Sequence, residues 1–315
     1  MEFKAYSDLN GQPNIIVDGS PHKDSILVLS HWKGSGTPKE YIRDTSAEIV
    51  LDYMEKNHLP PEAKFVSNDH FDEDGLIGVF SILNNDYSLT HKKTLIDIAE
   101  AGDFRKYNDP KSAQIVFCIS KLLKKESKFI PETFYSKPYP EIAAEFYRKT
   151  LNILPDIIEN INNYEEYWVD EFEFLRKSEE RIKNGEVTVI EMPEHHLAVV
   201  TIPETHESIH EMAIHNQTKK TQILMRQGNK YSFNYRYETW VQYKSFSYPL
   251  RVNLSPLAEK LNDLETDGNI WEYQGSSKIV PCLLSNKSSS LSFENFYSQL
   301  SEALSCSEID WNPTN

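Results

Sequence analysis

The chain has 315 residues and carries 33 Lys and Arg against 48 Asp and Glu, a formal charge of −15. That length is too great for one ordinary core and sufficient for two. A net negative field repels phosphate backbones unless basic groups cluster, and no such cluster occurs, so a broad nucleic-acid surface is excluded. At 39% hydrophobic and 12% aromatic content, the composition lies far from that of a disordered chain. Cys118, Cys282 and Cys306 are odd in number and widely spaced, which argues against a disulfide framework and a cysteine zinc site. Their expected setting is a reducing cytoplasm. The first residues lack a basic start followed by an apolar stretch, and no run of about 18 apolar residues appears, so neither a secretion signal nor a membrane span is expected.

The apolar run Ser25 to Ser30 reads as a buried strand that enters the small, polar loop from His31 to Gly36. Asp44 or Thr45 can cap a helix carrying Ile49, Val50, Tyr53 and Met54, which Pro60-Pro61 ends. A second strand, Ala63 to Ser67, feeds the acidic segment Asn68 to Gly75, followed by an apolar helical stretch. Two successive strand-to-helix units predict an α/β sheet with parallel pairing. Helical spacing returns over Lys92 to Ala101 and Ser112 to Lys125, and then over about Glu141 to Lys183 with a break at Pro155. The stripe Tyr164, Tyr167, Trp168, Phe172 and Phe174, interleaved with acids, reads as a packing or homodimer face.

After Gly185 the pattern turns to strands: VTVIEM, LAVVTI, TQILMRQ and KYSFNYRYETWV, with Arg251 to Leu254 following. A short helix from Pro256 to Leu264, a strand from Ile279 to Leu284 and a helix from Ser292 to Leu304 complete the reading. The predicted fold class is α/β: a parallel-sheet domain over 1–135, a helical connector over 136–185 and a smaller α+β domain over 186–315.

The segment His70-x-Asp72-x-Asp74-Gly75 stands where an apolar strand ends and a helix begins. Open α/β sheets present ligands at that place. One imidazole and two carboxylates at alternating positions can address one side, and this mixture of oxygen and nitrogen suits Mn²⁺, Mg²⁺ or Fe²⁺. Gly75 lets the chain turn at once.

At these residues the chain resembles the first motif of the DHH phosphoesterase superfamily, in which a strand delivers His-x-Asp-x-Asp-Gly to a two-metal site. The resemblance implies that His70, Asp72 and Asp74 are ligands of Mn²⁺ or Mg²⁺, with Asp103 near the family's second-motif aspartate. It also implies an N-terminal α/β domain, a helical connector and a smaller C-terminal domain, and metal-dependent hydrolysis of a phosphodiester, nucleotide or pyrophosphate. The family's Asp-His-His segment and C-terminal glycine-rich motif are missing; the nearest echo, Glu194-His195-His196, follows the connector. In overall texture the chain is also similar to bacterial proteins of unknown function.

His31 and Asp44 flank the loop after the first predicted strand. If that strand neighbours the one ending at Ser67, His31 lies close to Asp72 and Asp74, and the pair joins the site as catalytic groups. Arg236 and Arg251 are the candidate substrate-binding guanidiniums for a phosphate. The expected partner is a small phosphorylated ligand or short nucleotide. Two alternatives remain: a non-catalytic nucleotide-binding or scaffold protein, and a zinc peptidase through His206-Glu207-x-x-His210.

Overall fold

The computed structural model describes residues 1–205 and 208–314 and divides the chain into two compact units. The first comprises Met1–Phe174 and the short segment Gln242–Ser245; the second comprises Leu175–Val241 and the chain from Phe246 onward.

In the first unit, β1 (Glu2–Phe3), β2 (Asn14–Val17), β3 (Ser25–Leu29) and β4 (Phe65–Ser67) form a sheet in the order β1-β4-β2-β3, with every pair parallel. The strand β2 is absent from the sequence reading, and it separates β3 from β4, which are not neighbours as expected. Only four residues long, it has no alternation to betray it, because all four are buried. A strand covered on both faces reads as a continuous apolar run. Ile16 packs with Leu9 and Val28 on one face. On the other, Val17 lies so close to Gly78 that a Cβ there would collide with its Cγ1.

The helices are α1 (Ser46–Lys56), α2 (Glu73–Leu83), α3 (Asn85–Thr90), α4 (Lys92–Asp103), α5 (Pro110–Leu122) and α6 (Tyr139–Glu159). The Thr45 side chain caps α1 by accepting from the Glu48 amide, and Pro110 opens α5 where its missing N–H is harmless. Every residue of α2 from Glu73 to Ile82 is buried, as expected of a helix hydrophobic all round. The helix α6 runs through Pro155 instead of breaking there, and ends at Glu159. The stretch read as a connector thus consists of α6 and α7 (Glu165–Lys183); α7 belongs to the first unit up to Phe174 and to the second from Leu175.

The second unit, the smaller, holds β5 (Thr188–Met192), β6 (Leu197–Ile202), α8 (Glu211–His215), β7 (Gln222–Gln227), β8 (Lys230–Tyr235), β9 (Arg251–Val252), α9 (Ser255–Leu264), β10 (Trp271–Tyr273), β11 (Cys282–Ser285), α10 (Phe293–Cys306) and β12 (Ile309–Trp311). Six strands pair in the order β10-β11-β8-β7-β6-β5, and β9 pairs with β12. Within the six, β6 and β7 are parallel and the remaining pairs antiparallel. Alternation along β6 builds both faces: Leu197 and Val199 join Phe233, Leu261, Phe296 and Leu300 in one core, while Ala198, Val200 and Ile202 join Ile214 and Ile223 in the other. The expected long strand from Lys230 to Val241 stops at Tyr235, where Thr239 Oγ1 donates to the Arg236 carbonyl and closes a tight turn. Among the described residues, no helix is long and apolar enough to cross a membrane.

The end of α9 is tied to the loop between β11 and α10 by Glu265, whose carboxylate accepts from Trp271 Nε1 at 2.8 Å, from the Ser289 hydroxyl at 2.5 Å, and from both the amide (2.8 Å) and the hydroxyl (2.6 Å) of Ser290. Partial burial opposes the charge, but these donors outweigh it and hold the carboxyl down at about 2. A depressed carboxylate stabilises the fold above its unfolded value and loses that contribution as pH falls through its folded value. Glu265→Gln should cost about 1–2 kcal/mol at neutral pH. Urea unfolding as a function of pH should show the gap between wild type and variant closing as pH falls from about 4.5 toward about 2; a gap independent of pH would contradict this account.

Candidate metal centre

Three adjacent parallel strands end on chemistry. Asp18 follows β2, His31 follows β3 two residues beyond its end, and the segment from Asn68 to Asp74 follows β4. Asp18 adopts a left-handed backbone (φ 49°), a conformation that short polar residues tolerate best and that clusters at functional sites. Its side chain is fully buried. Oδ1 lies 3.3 Å from His31 Nε2, and Oδ2 lies 3.3 Å from His70 Nε2. Around that shared carboxylate stand two triads whose ligand atoms lie within 4.8 Å of one another: Asp18, His70 and Asp72, and Asp18, His31 and Asp74.

Each imidazole is fixed through its other nitrogen. His31 Nδ1 donates to the Asp44 carbonyl at 2.5 Å, since a carbonyl can only accept, and Nε2 is thereby turned to the centre. His70 Nδ1 meets Asp69 Oδ1 at 3.1 Å, and its Nε2 meets Asp72 Oδ2 at 2.8 Å. Trp32 stacks on the His70 ring at 4.9 Å. Behind the loop, Asn68 accepts from the His70 amide at 3.1 Å and donates to the buried Tyr147 hydroxyl at 2.9 Å.

The two motif aspartates also terminate helices. Asp72 caps α2, accepting from the Gly75 amide at 2.8 Å. Asp74 accepts from the Ser46 and Ala47 amides of α1, at 2.7 Å each. Ser46 completes the link, since its hydroxyl donates to Asp18 Oδ1 at 2.7 Å and accepts from the His31 amide at 3.1 Å. Asp103, the last residue of α4, brings Oδ2 to 3.5 Å from His31 Nε2.

Sequence and structure assign these residues differently. His70, Asp72 and Asp74 do converge, but onto two positions, with Asp74 on the side of His31. His31 reaches Asp74 at 3.8 Å although β2 lies between the two strands, and it stands among the candidate ligands. The Asp44 carboxylate does not face the centre: Oδ1 accepts from the Lys244 and Ser245 amides at 2.6 and 2.9 Å, and only its carbonyl serves His31. Asp18, which joins the triads, is missing from the sequence reading. The signal was an apolar run, Asn14 to Val17, ending at Asp18-Gly19.

Arg236 and Arg251 are not offered to a substrate phosphate. Both are buried in the second unit with their donors committed. Arg236 pairs with Glu238 at 2.5 Å and donates to the Thr218 carbonyl; Arg251 donates to Thr239 Oγ1 and to the carbonyls of Ser276, Lys278 and Ile279. Of the remaining histidines, His195 meets Ser301 Oγ at 2.6 Å and His196 accepts from the Thr221 amide, both within the second unit. His206 and Glu207 lie outside the described residues. His210 caps α8 by accepting from the Met212 amide.

Six titratable groups with opposing demands set the electrostatics. Burial works against every charge here. For Asp18 the two imidazoles overcome it, and the carboxyl falls far below the usual range. Burial lowers His31, but Asp18 and Asp74 outweigh it and raise the imidazole to about 8. Asp74 is pushed up to about 8 by burial and by the Asp18 charge. Asp103 rises well above its ordinary value through burial and the charges of Asp74, Asp72 and Asp18. Among the described residues, Asp18 Oδ2 and Asp103 Oδ2 are buried oxygens that make no hydrogen bond. Each has an imidazole nitrogen as its ionic neighbour, His70 Nε2 at 3.3 Å and His31 Nε2 at 3.5 Å, and a bound cation would satisfy them more fully. Four carboxylates, two imidazoles and no thiolate fit a hard or borderline divalent ion.

The chain belongs to a family of unknown function (DUF6687), whose model matches residues 1–310. No curated protein and no solved structure matches it.

Two outcomes follow. His31 and Asp74 both have folded-state values above their unfolded ones, so each contributes stability that is present at low pH and lost as pH rises through about 8. In EDTA, thermal melts should show stability falling from about pH 4, where Asp74 begins to lose its contribution, to about pH 8, with His31 adding about 2 kcal/mol of loss above about pH 6.5, and Mn²⁺ should remove that slope. A flat profile in EDTA would contradict the assignment. Arg236→Ala leaves the buried Glu238 without its guanidinium and should lower stability by about 3–5 kcal/mol, measured by urea unfolding; a variant as stable as wild type would reopen a binding role.

Proposed function

We propose that the first unit is a divalent-metal-dependent phosphoesterase of DHH-like type, using Mn²⁺ or Mg²⁺ held by Asp18, His31, His70, Asp72 and Asp74, with Asp103 beside them. The observation that carries this reading is the sharing of one carboxylate, Asp18, between two His/Asp triads at the ends of parallel strands. The likeness of His70-x-Asp72-x-Asp74-Gly75 to the superfamily's first motif supports it. The missing Asp-His-His segment is made good by residues from elsewhere: Asp18 and His31 supply a carboxylate and an imidazole from β2 and β3, strand ends that precede the motif.

When bound, divalent ions at such a site supply a water of lowered pKa and positive charge for phosphate oxygens. The chain's own groups do the rest. Asp18 gives one oxygen to each triad, and Ser46 fixes its orientation. The Asp44 carbonyl holds His31 in the tautomer that leaves Nε2 facing the centre. The substrate class we assign is a small phosphodiester, nucleotide or pyrophosphate. A cytoplasmic setting belongs to the same proposal and agrees with three free cysteines.

The test is metal analysis of the purified protein with Mn²⁺-supplemented hydrolysis of a phosphodiester, pyrophosphate and short-oligonucleotide panel, beside Asp18→Asn and Asp74→Asn. Wild type should take up two ions per chain and hydrolyse a member of the panel. Asp18→Asn should lose more than the roughly 100-fold that removing an outer partner of a ligand costs. No metal uptake together with no hydrolysis overturns the reading; uptake without turnover favours the alternative of a nucleotide-binding protein.

A further inference from the structure

We infer that Asp69 is a positioning residue that serves one of the two metal positions far more than the other. The inference rests on the metal reading above and extends it to a residue outside both triads. Asp69 uses its two oxygens on two of the strand-end loops. Oδ1 lies 3.1 Å from His70 Nδ1, and Oδ2 accepts from the Ser20 amide at 3.2 Å. Ser20 stands two residues after Asp18, and the intervening Gly19 leaves no room for a Cβ, which would lie 2.6 Å from Asp69 Oδ1. One carboxylate therefore fixes both the His70 ring and the loop that carries the shared ligand.

The two imidazoles are supported by different chemistry. His31 has a neutral carbonyl behind Nδ1 and His70 has a carboxylate. A carboxylate in that place fixes the tautomer, raises the basicity of the opposite nitrogen, and typically accounts for about 10- to 100-fold in metal affinity. The His31 side is held by other groups, the Asp44 carbonyl and the Ser46 hydroxyl. The shared Asp18 loses the loop contact at Ser20 but keeps the Ser46 hydroxyl on its Oδ1, the oxygen that faces His31, so loss of Asp69 falls chiefly on the position made by His70 and Asp72.

Mn²⁺ titration followed by electron paramagnetic resonance and calorimetry on the full-length protein separates the two positions. Wild type should bind two ions that give an exchange-coupled signal. Asp69→Ala should keep one ion near wild-type affinity, with the six-line signal of an isolated ion, and weaken the other by about 10- to 100-fold. Asp69→Asn, which retains an oxygen acceptor, should recover part of that loss. Thermal melts in EDTA establish that each variant is folded. If wild type binds two ions and Asp69→Ala does the same with unchanged affinity, or loses both equally while folded, Asp69 has no selective role and the inference fails. If wild type itself binds no Mn²⁺, it is the metal reading that fails.

Discussion

Everything in the first unit is arranged around the difficulty of keeping several carboxylates together inside a protein. Asp18 lies fully buried with Asp74 and Asp103 nearby, in surroundings where charges of one sign repel strongly and water cannot screen them. The protein answers with two imidazoles, one on each oxygen of Asp18, and with backbone amides. Those groups compensate the charge incompletely, which is why Asp74 and Asp103 are pushed toward holding protons. A divalent cation completes the compensation and removes the conflict.

The same atoms bind the scaffold together. Asp74 receives two amides from the first turn of α1, and Asp72 caps α2, so both helices begin on residues of the candidate centre. Carboxylates at helix N-termini are favoured by the unpaired N–H groups there. Each aspartate therefore has a stabilising role without any ligand. Such dual use also means that a purely structural reading of Asp72 and Asp74 accounts for part of their placement. It does not account for Asp103, buried at the unfavourable end of α4 beside the other carboxylates.

The first-unit helices other than α3, the helix α10 and most strands of the second unit were legible because their apolar residues repeat at clear periods and because Thr45, Pro110 and Ser292 mark helix starts. The strand β2 was not, being four residues long and buried on both faces. With it went Asp18 and the correct strand order. The motif at His70 was legible as local spacing, whereas its division between two positions depends on which strands are neighbours. Arg236 and Arg251 misled for a related reason. An arginine in an alternating strand looks like a surface group, and only tertiary contacts disclose that its donors are already committed to carbonyls. Pro155 looked like a helix end because local propensity disfavours it, yet α6 continues through it.

The segment Gln242–Ser245 gives the first unit a property that its sheet and helices alone would not suggest. Gln242 donates its amide to the His31 carbonyl and its side chain to the Trp32 carbonyl, and the amides of Lys244 and Ser245 converge on Asp44. These four residues are encoded almost seventy codons after the rest of the unit has ended. The unit is thus genetically discontinuous. A shortened gene ending near Phe174 would encode the sheet, the helices and all six candidate site side chains, but not the donors that hold the His31 and Asp44 loop. Exchange of modules by simple recombination at a single boundary cannot transfer this centre intact, and a ribosome must reach residue 245 before the unit can finish folding.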